Sequence, residues 1–487
     1  MFRMDLSSRL IILLLFLSGL SHAQQDSVIV NAPDYEGQRI FVWKTLDAIT
    51  GEKEMIAEGR VEDSVYVFPL SVNEISFLNI GLNFQIGGFY CKPGNSYKVR
   101  FPKHDGEQLR TLSWSARAPI IIESGDPEDL NIKIASIDAD QRDFFRELMR
   151  ESEADSSDNV PFSARQVLAL YKENCKQLEL DSSDYIKNYQ LSSMALTQYQ
   201  LGAKKTDLIT EFMDSIMHST NDLAYADLFN ALYLNYFDFY TYYPFKSKMD
   251  SSLSSPDPYA ALYSIAAGDE GLKNEARREA VLIKGIHDLY TRRTINDSLA
   301  MDILNMASKR DQFESSGKMA RFYLKEMNRS GGYFPNFTCY SRLDTAELYA
   351  YLKEGLNYIH VYGSWSSSSK AEMDLMKTIK KEYSAQVNLI SISIDEDYED
   401  FTNFLANNKG YHWSQLWIGM HPEIFENLEL SDVPRFYLID GEGKIIDWMA
   451  KWPSRGIEEV FYKMEAEDRK KNKESLFGQP NKSTKER

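Results

Sequence analysis

The chain has 487 residues, 43% of them hydrophobic and 13% aromatic, which is enough apolar material for packed cores. At about 150 residues per domain it has room for several. Its formal net charge of −17 argues against nucleic acid as a partner, because neutralising phosphates takes clustered Lys and Arg.

At the N-terminus, Arg3 and Arg9 accompany an apolar run from Leu10 to Leu20, and Ser21-His22-Ala23 puts small residues at the cleavage-determining positions. The pattern is a secretory signal peptide, residues 1–23, cut after Ala23. The run is short for a membrane span, although an uncleaved anchor is the alternative, and no Cys follows it for lipid attachment. No later segment supplies the ~20 apolar residues of a spanning helix, so the expectation is an exported chain, periplasmic or secreted, with no membrane span after cleavage. Cys91, Cys175 and Cys339 form no C-x-x-C pair, and an odd number leaves at least one thiol free or paired between chains. Burial and reduction of all three is the expectation, since free Cys packs as a small hydrophobe. A disulfide between two of them stays open.

Residues 24–125 read as an all-β module. Ser27–Val30, Arg39–Trp43 and Ser64–Phe68 are short β-rich runs, punctuated by Gly51-Glu52 and Gly87-Gly88 as in hairpins of an antiparallel sheet. Pro93-Gly94 marks a turn between two further strands. Residues 126–330 change to a helical period, with Ile132, Ile134 and Ile137 and then Phe144, Phe145, Leu148 and Met149 three and four apart. Phe229, Tyr233, Tyr236, Phe237 and Tyr240 make an aromatic stripe at helical spacing, and Pro244 should end that helix. A buried interhelical core is the expected role of the stripe, with a ligand groove as the alternative. Asp155–Pro161 and Ser251–Pro258 read as loops rich in Ser, Asp and Pro.

Ser330-Gly331-Gly332 marks the next boundary, and residues 331–464 alternate strand and helix as an α/β domain does. The polar tail, residues 465–487, reads as a solvated end, a basic partner-binding tail being the alternative. Ile359–Tyr362 form a strand leading into a turn at Trp365, and Ser369 with Glu372 suggests a capping box opening a helix. A second strand, Val387–Ile394, precedes a helix near Tyr398–Asn407. Then comes Asp432-Val433-Pro434-Arg435-Phe436-Tyr437-Leu438-Ile439-Asp440, with Gly443-Lys444-Ile445 closing a hairpin.

Trp365 before a turn, followed at a distance by the Val433-Pro434 phrase, resembles the TlpA-like thioredoxin-fold proteins. The β-module similarly resembles the β-sandwich that often precedes such a domain in exported bacterial proteins. The resemblance implies a multidomain α+β chain: an N-terminal antiparallel β-sandwich, a central α-helical region and a C-terminal thioredoxin-like α/β domain. It implies that Pro434 is a cis-proline facing the active-site turn, and that Ser366 and Ser369 stand where a redox-active relative carries its two cysteines. A serine hydroxyl titrates far above a thiol, so the helix N-terminus cannot make it a useful nucleophile. These positions are therefore vestigial, and no catalytic residue is expected. His360 lies six residues before Ser366, where redox-active relatives often hold a buried polar group. A hydrolytic Ser366–His360 pair lacks a third member and a G-x-S-x-G phrase, so a structural histidine is the expectation.

The binding residues expected are Trp365, Val433, Pro434 and His360, lining a groove that takes an extended polypeptide or protein by main-chain pairing. The alternative is a thiol-disulfide enzyme that uses Cys339 near the start of the domain. A third reading makes the domain a packing module for the helices. The seven histidines show no zinc spacing, and Asp395-Glu396-Asp397 with Glu399-Asp400 lacks EF-hand spacing and reads as a solvated loop. No metal or cofactor is expected.

Overall fold

A computed structural model describes residues 26–464 apart from 83–84, 102–119, 125, 155–162, 217–220, 243, 293, 311, 330, 396, 420–423, 425–426, 429, 431–432 and 463. The signal peptide, the tail, Ser330 and the loop Asp155–Pro161 lie outside the described residues.

Eight strands open the fold: β1 (Ser27–Asn31), β2 (Arg39–Asp47), β3 (Glu52–Arg60), β4 (Val65–Pro69), β5 (Ser76–Leu82), β6 (Gln85–Cys91), β7 (Tyr97–Arg100) and β8 (Ile121–Ile122). They form two four-stranded sheets, ordered β4-β1-β7-β8 and β3-β2-β5-β6. Val28, Val30, Leu78, Ile80, Phe89 and Val99 fill the core of this module. One ladder departs from the antiparallel expectation: β1 and β7 run parallel, with Val28 opposite Tyr97. The chain passes through β5 and β6 before β7, and that long crossover lets β7 enter in the same direction as β1. At the Pro93-Gly94 turn, Gly94 holds φ at +78°, a left-handed conformation costly for other residues.

The central region is helical: α1 (Leu130–Ala154), α2 (Ala164–Gln177), α3 (Asp184–Gln200), α4 (Leu223–Leu232), α5 (Lys246–Leu253), α6 (Pro258–Ala267), α7 (Glu275–Thr291), α8 (Asp297–Ser308) and α9 (Glu314–Met327). Their starts are chemically marked. Ser163 and Gln166 form a capping box, and Asp222, Asn274 and Asn296 accept first-turn amides. The aromatic stripe is core as expected: Phe229, Tyr233, Tyr236 and Phe237 are buried and Tyr240 packs against them. It is not one helix ended by Pro244. α4 stops at Leu232, Asn235 takes a left-handed φ of +51°, and Tyr236–Thr241 is a 3-10 turn. Asn visits that conformation readily and breaks the helix there. Ser251–Pro258 is also less of a loop than expected, since α5 runs to Leu253 and Pro258 opens α6 behind an Asp257 cap. Ile49 joins the helical core, while Phe77 and Tyr90 of the β-module pack with Leu130, Ile134 and Ile186.

The last part holds β9 (Thr338–Tyr340), β10 (Thr345–Glu347), β11 (Leu356–Tyr362), α10 (Ser367–Tyr383), β12 (Val387–Ser393), α11 (Tyr398–Asn407), β13 (Ser414–Trp417), β14 (Arg435–Ile439) and β15 (Ile445–Asp447). These strands make one sheet ordered β10-β9-β13-β12-β11-β14-β15. Central β11 runs parallel to β12 and antiparallel to β14, and apolar clusters cover both faces. That double burial explains the near-continuous apolar runs of β11 and β12. The entering chain is zipped to the β15 edge, with the Gly331 amide on the Ile445 carbonyl and the Ile445 amide on the Gly332 carbonyl, both at 2.7 Å. Among the described residues, no helix is long and apolar enough to cross a membrane.

Candidate functional site

The site forms where β11 ends and α10 begins. Ser366 donates its amide to the Gly363 carbonyl at 3.0 Å, closing a tight turn around Ser364 and Trp365. The Trp365 ring lies over Gly363, where a Cβ would meet the indole at 2.4 Å. Trp365 is nevertheless 45% exposed.

Ser366, not Ser369, caps the helix. Its backbone is extended (φ −86°, ψ 113°) and its Oγ accepts the Ser369 amide at 3.2 Å. An N-cap of this kind contributes about 1 kcal/mol. The expected Ser369–Glu372 capping box is absent because the helix begins one turn earlier, which places Ser369 inside α10, and the Glu372 carboxylate instead accepts the Ser454 amide at 3.0 Å and the Ser454 hydroxyl at 2.5 Å. Ser369 is fully buried, and its Oγ has no hydrogen-bond partner among the described residues.

Across the turn, Ser366 Oγ lies 3.0 Å from Ser368 Oγ, and the Ser368 hydroxyl donates to the Val433 carbonyl at 3.5 Å. The Val433-Pro434 peptide is cis. Ser366, Ser368 and Val433-Pro434 are thus brought together beside Trp365. Residues 356–445 match the family described as Thioredoxin-like. The C-terminal segment is a thioredoxin-like domain.

Solved structures similar to part of the chain include the thioredoxin domain of a thiol-disulfide oxidoreductase from Bacteroides vulgatus, 19% identical, covering 27% of this chain and 94% of that one, with a TM-score of 0.25. A thiol:disulfide interchange protein from Bacteroides sp. is 16% identical over 28% of this chain and 88% of its own, with a TM-score of 0.24. A thioredoxin-like protein from Bacteroides caccae covers 54% of this chain and 95% of its own at 15% identity and a TM-score of 0.32. None of these likenesses bears on activity. No curated protein matches the chain.

His360 is separated from the solvent-exposed turn at Trp365 by its burial. It is fully buried within the sheet, stacked between Tyr362 at 5.4 Å and Phe436 at 4.5 Å, with Nδ1 3.3 Å from Ser391 Oγ. Burial holds the imidazole down at about 3, so it is neutral at physiological pH. With no exposed surface, it fits the structural role.

A residue assigned from sequence to a solvated loop matters more. Asp395 is 1% exposed. Its Oδ1 accepts the Ser364 amide at 2.8 Å and its Oδ2 accepts the Ser393 hydroxyl at 2.7 Å. Burial raises its carboxyl above the ordinary range, against the two serine hydrogen bonds. Asp395 therefore anchors the turn that carries Trp365. A sequence signal for it existed: it follows directly on the apolar run of β12, which is where a chain emerges at the end of a buried strand.

The described cysteines are unpaired. Cys339 is fully buried and burial pushes its thiol up to about 12, as it does for Cys91. The result counts against Cys339 as a nucleophile, which requires an accessible thiolate. Cys175 departs from the expectation of full burial and is only partly covered.

Proposed function

We propose that this is an exported protein whose thioredoxin-like domain binds polypeptide and performs no dithiol chemistry. The observation that carries the reading is Ser366. In a dithiol site the group at the turn must be a thiolate that the helix N-terminus activates, whereas here a hydroxyl accepts the Ser369 amide and serves as the helix cap. With no sulfur at either position, what remains is a turn presenting a half-exposed tryptophan next to the Val433-Pro434 backbone. An extended peptide can pair with that backbone while an apolar side chain packs on Trp365, and neither contact needs sulfur. We assign the groove to Trp365, Val433 and Pro434, and the domain limits to residues 24–125, 126–330 and 331–464. Export rests on the signal-peptide pattern of residues 1–23.

Reduction of insulin by dithiothreitol, followed by turbidity, tests the absence of redox activity. The protein should leave the rate at that of dithiothreitol alone, and acceleration of the thioredoxin kind would overturn the reading. Binding is tested with an unfolded, cysteine-free polypeptide, against which Trp365→Ala should lose affinity.

A further inference from the structure

The β-module and the helices are joined by a turn that carries a buried acid. Asp47 ends β2 and Glu52 opens β3. Between them Ala48 and Ile49 leave the sandwich and pack in the helical core, where Ile49 is 5% exposed. The Ile49 carbonyl accepts the side-chain amide of Asn230, from α4, at 3.1 Å. Asp47 itself shapes the turn. Its Oδ1 accepts the Thr50 amide and its carbonyl accepts the Gly51 amide, both at 2.9 Å, and Gly51 takes the left-handed φ of +80° that the turn requires.

Asp47 is 4% exposed, and among the described residues no cation lies within ion-pair distance of it. Across the ladder Glu52 adds a like charge. On the helical side Tyr323 of α9 lies in the field of Asp47 together with Asp288 of α7 and Glu326 of α9. Asp288 is engaged by Lys284 at 2.8 Å. His287, stacked on Tyr323 at 4.0 Å and 3.6 Å from Glu326, is held neutral by burial. From α4 comes only the uncharged amide of Asn230. An ionised carboxylate is costly in such a place. Burial, and behind it the Glu52 charge, pushes the Asp47 carboxyl up to about 6 from an ordinary 3.8, against the Thr50 hydrogen bonds.

We propose that the β2–β3 turn is an acid-closed latch: with Asp47 protonated it stays inserted among the helices, and ionisation of Asp47 loosens it. The opening is local, because a second seam, Phe77 and Tyr90 against Leu130, Ile134 and Ile186, still joins the two parts. The closed turn has its full advantage below 3.8 and loses it as pH rises through about 6. Opening returns the carboxyl to water and to its ordinary value. The open-to-closed ratio therefore rises about tenfold between about pH 5 and pH 7.5.

Hydrogen exchange on the full chain, corrected for the pH dependence of intrinsic exchange, reads the latch at the Thr50 and Gly51 amides. The amides of β1 serve as the reference within the same sandwich. Protection at Thr50 and Gly51 should fall about tenfold over that pH range while β1 holds steady. Asp47→Asn keeps an oxygen for the Thr50 amide and cannot ionise, so it should flatten the fall. Ile49→Ala should lower protection several-fold at both ends of the range and leave the tenfold ratio in place. A flat native profile, an equal fall in β1, a fall that persists in Asp47→Asn, or native protection in Ile49→Ala overturns the proposal. Should Asp47→Asn fail to fold, the native and Ile49→Ala profiles decide it.

Discussion

Asp395→Ala should destabilise the thioredoxin-like domain by about 1–3 kcal/mol, the usual cost of leaving buried polar groups without a partner. The substitution strips the Ser364 amide and the Ser393 hydroxyl of their acceptor at once. Asp395→Asn is the informative contrast. Asparagine keeps an oxygen for the Ser364 amide and turns an NH2 toward Ser393 Oγ, so at neutral pH it should fall within about 1 kcal/mol of the native protein. The two should then diverge with pH. Burial raises the native carboxyl above its ordinary value of 3.8, so the fold prefers the protonated form. The stability this group contributes is fully present below 3.8 and is lost as pH rises through the raised value. The native protein should therefore gain on Asp395→Asn as pH falls toward that value, by at most ~1.4 kcal/mol per pH unit for one proton. Urea titrations read by hydrogen exchange of the 387–395 peptide separate this domain's opening from that of the sandwich and helices. An alanine variant within about 0.5 kcal/mol of native, or a native–asparagine difference that is flat with pH, would refute the reasoning, since surface substitutions fall in that range.

Three further outcomes follow from other groups. Ser366→Ala should cost about 1 kcal/mol and fray the first turn of α10, while Ser366→Asp should preserve it; hydrogen exchange at the Ser369 amide distinguishes cap from bystander. His287 and His360 are both held down at about 3 from an ordinary 6.5, so the stability they give above 6.5 is lost as pH falls toward 3. His360→Phe, which keeps the ring stack, should flatten the acid limb of stability, and an unchanged slope would mean that the imidazole is not buried and neutral. Thiol labelling of the native protein should reach Cys175 first, with Cys91 and Cys339 inert until unfolding; rapid reaction at Cys339 would reopen a thiol mechanism.

The architecture was legible because its signals are local. β-rich runs marked β1 and β2, Gly51 marked the turn into β3, and the spacing of Trp365 from Val433-Pro434 marked the thioredoxin-like sheet. Gly87-Gly88, by contrast, read as a hairpin break but lies inside β6 and pairs with Ile80 and Asn79 of β5. What was missed depended on long-range partners. The capping-box pattern at Ser369 and Glu372 fails because Ser366 caps α10 one turn earlier, while Ser454, eighty-two positions away, takes the Glu372 carboxylate. The aromatic stripe kept its helical spacing and its core role while Asn235 broke the helix beneath it. Asp395 lay in a run of acids that composition reads as solvated, and only the fold brings Ser364 to it. The parallel pairing of β1 with β7 was likewise invisible, because strand direction depends on the route of the intervening chain.

The central claim is that the groove binds without sulfur. The most direct measurement is the affinity of an unfolded, cysteine-free polypeptide for the native chain and for Trp365→Ala, each with and without dithiothreitol. The account predicts that reductant leaves the affinity unchanged and that the variant loses most of it. Binding that depends on reductant, or that ignores Trp365, would contradict it.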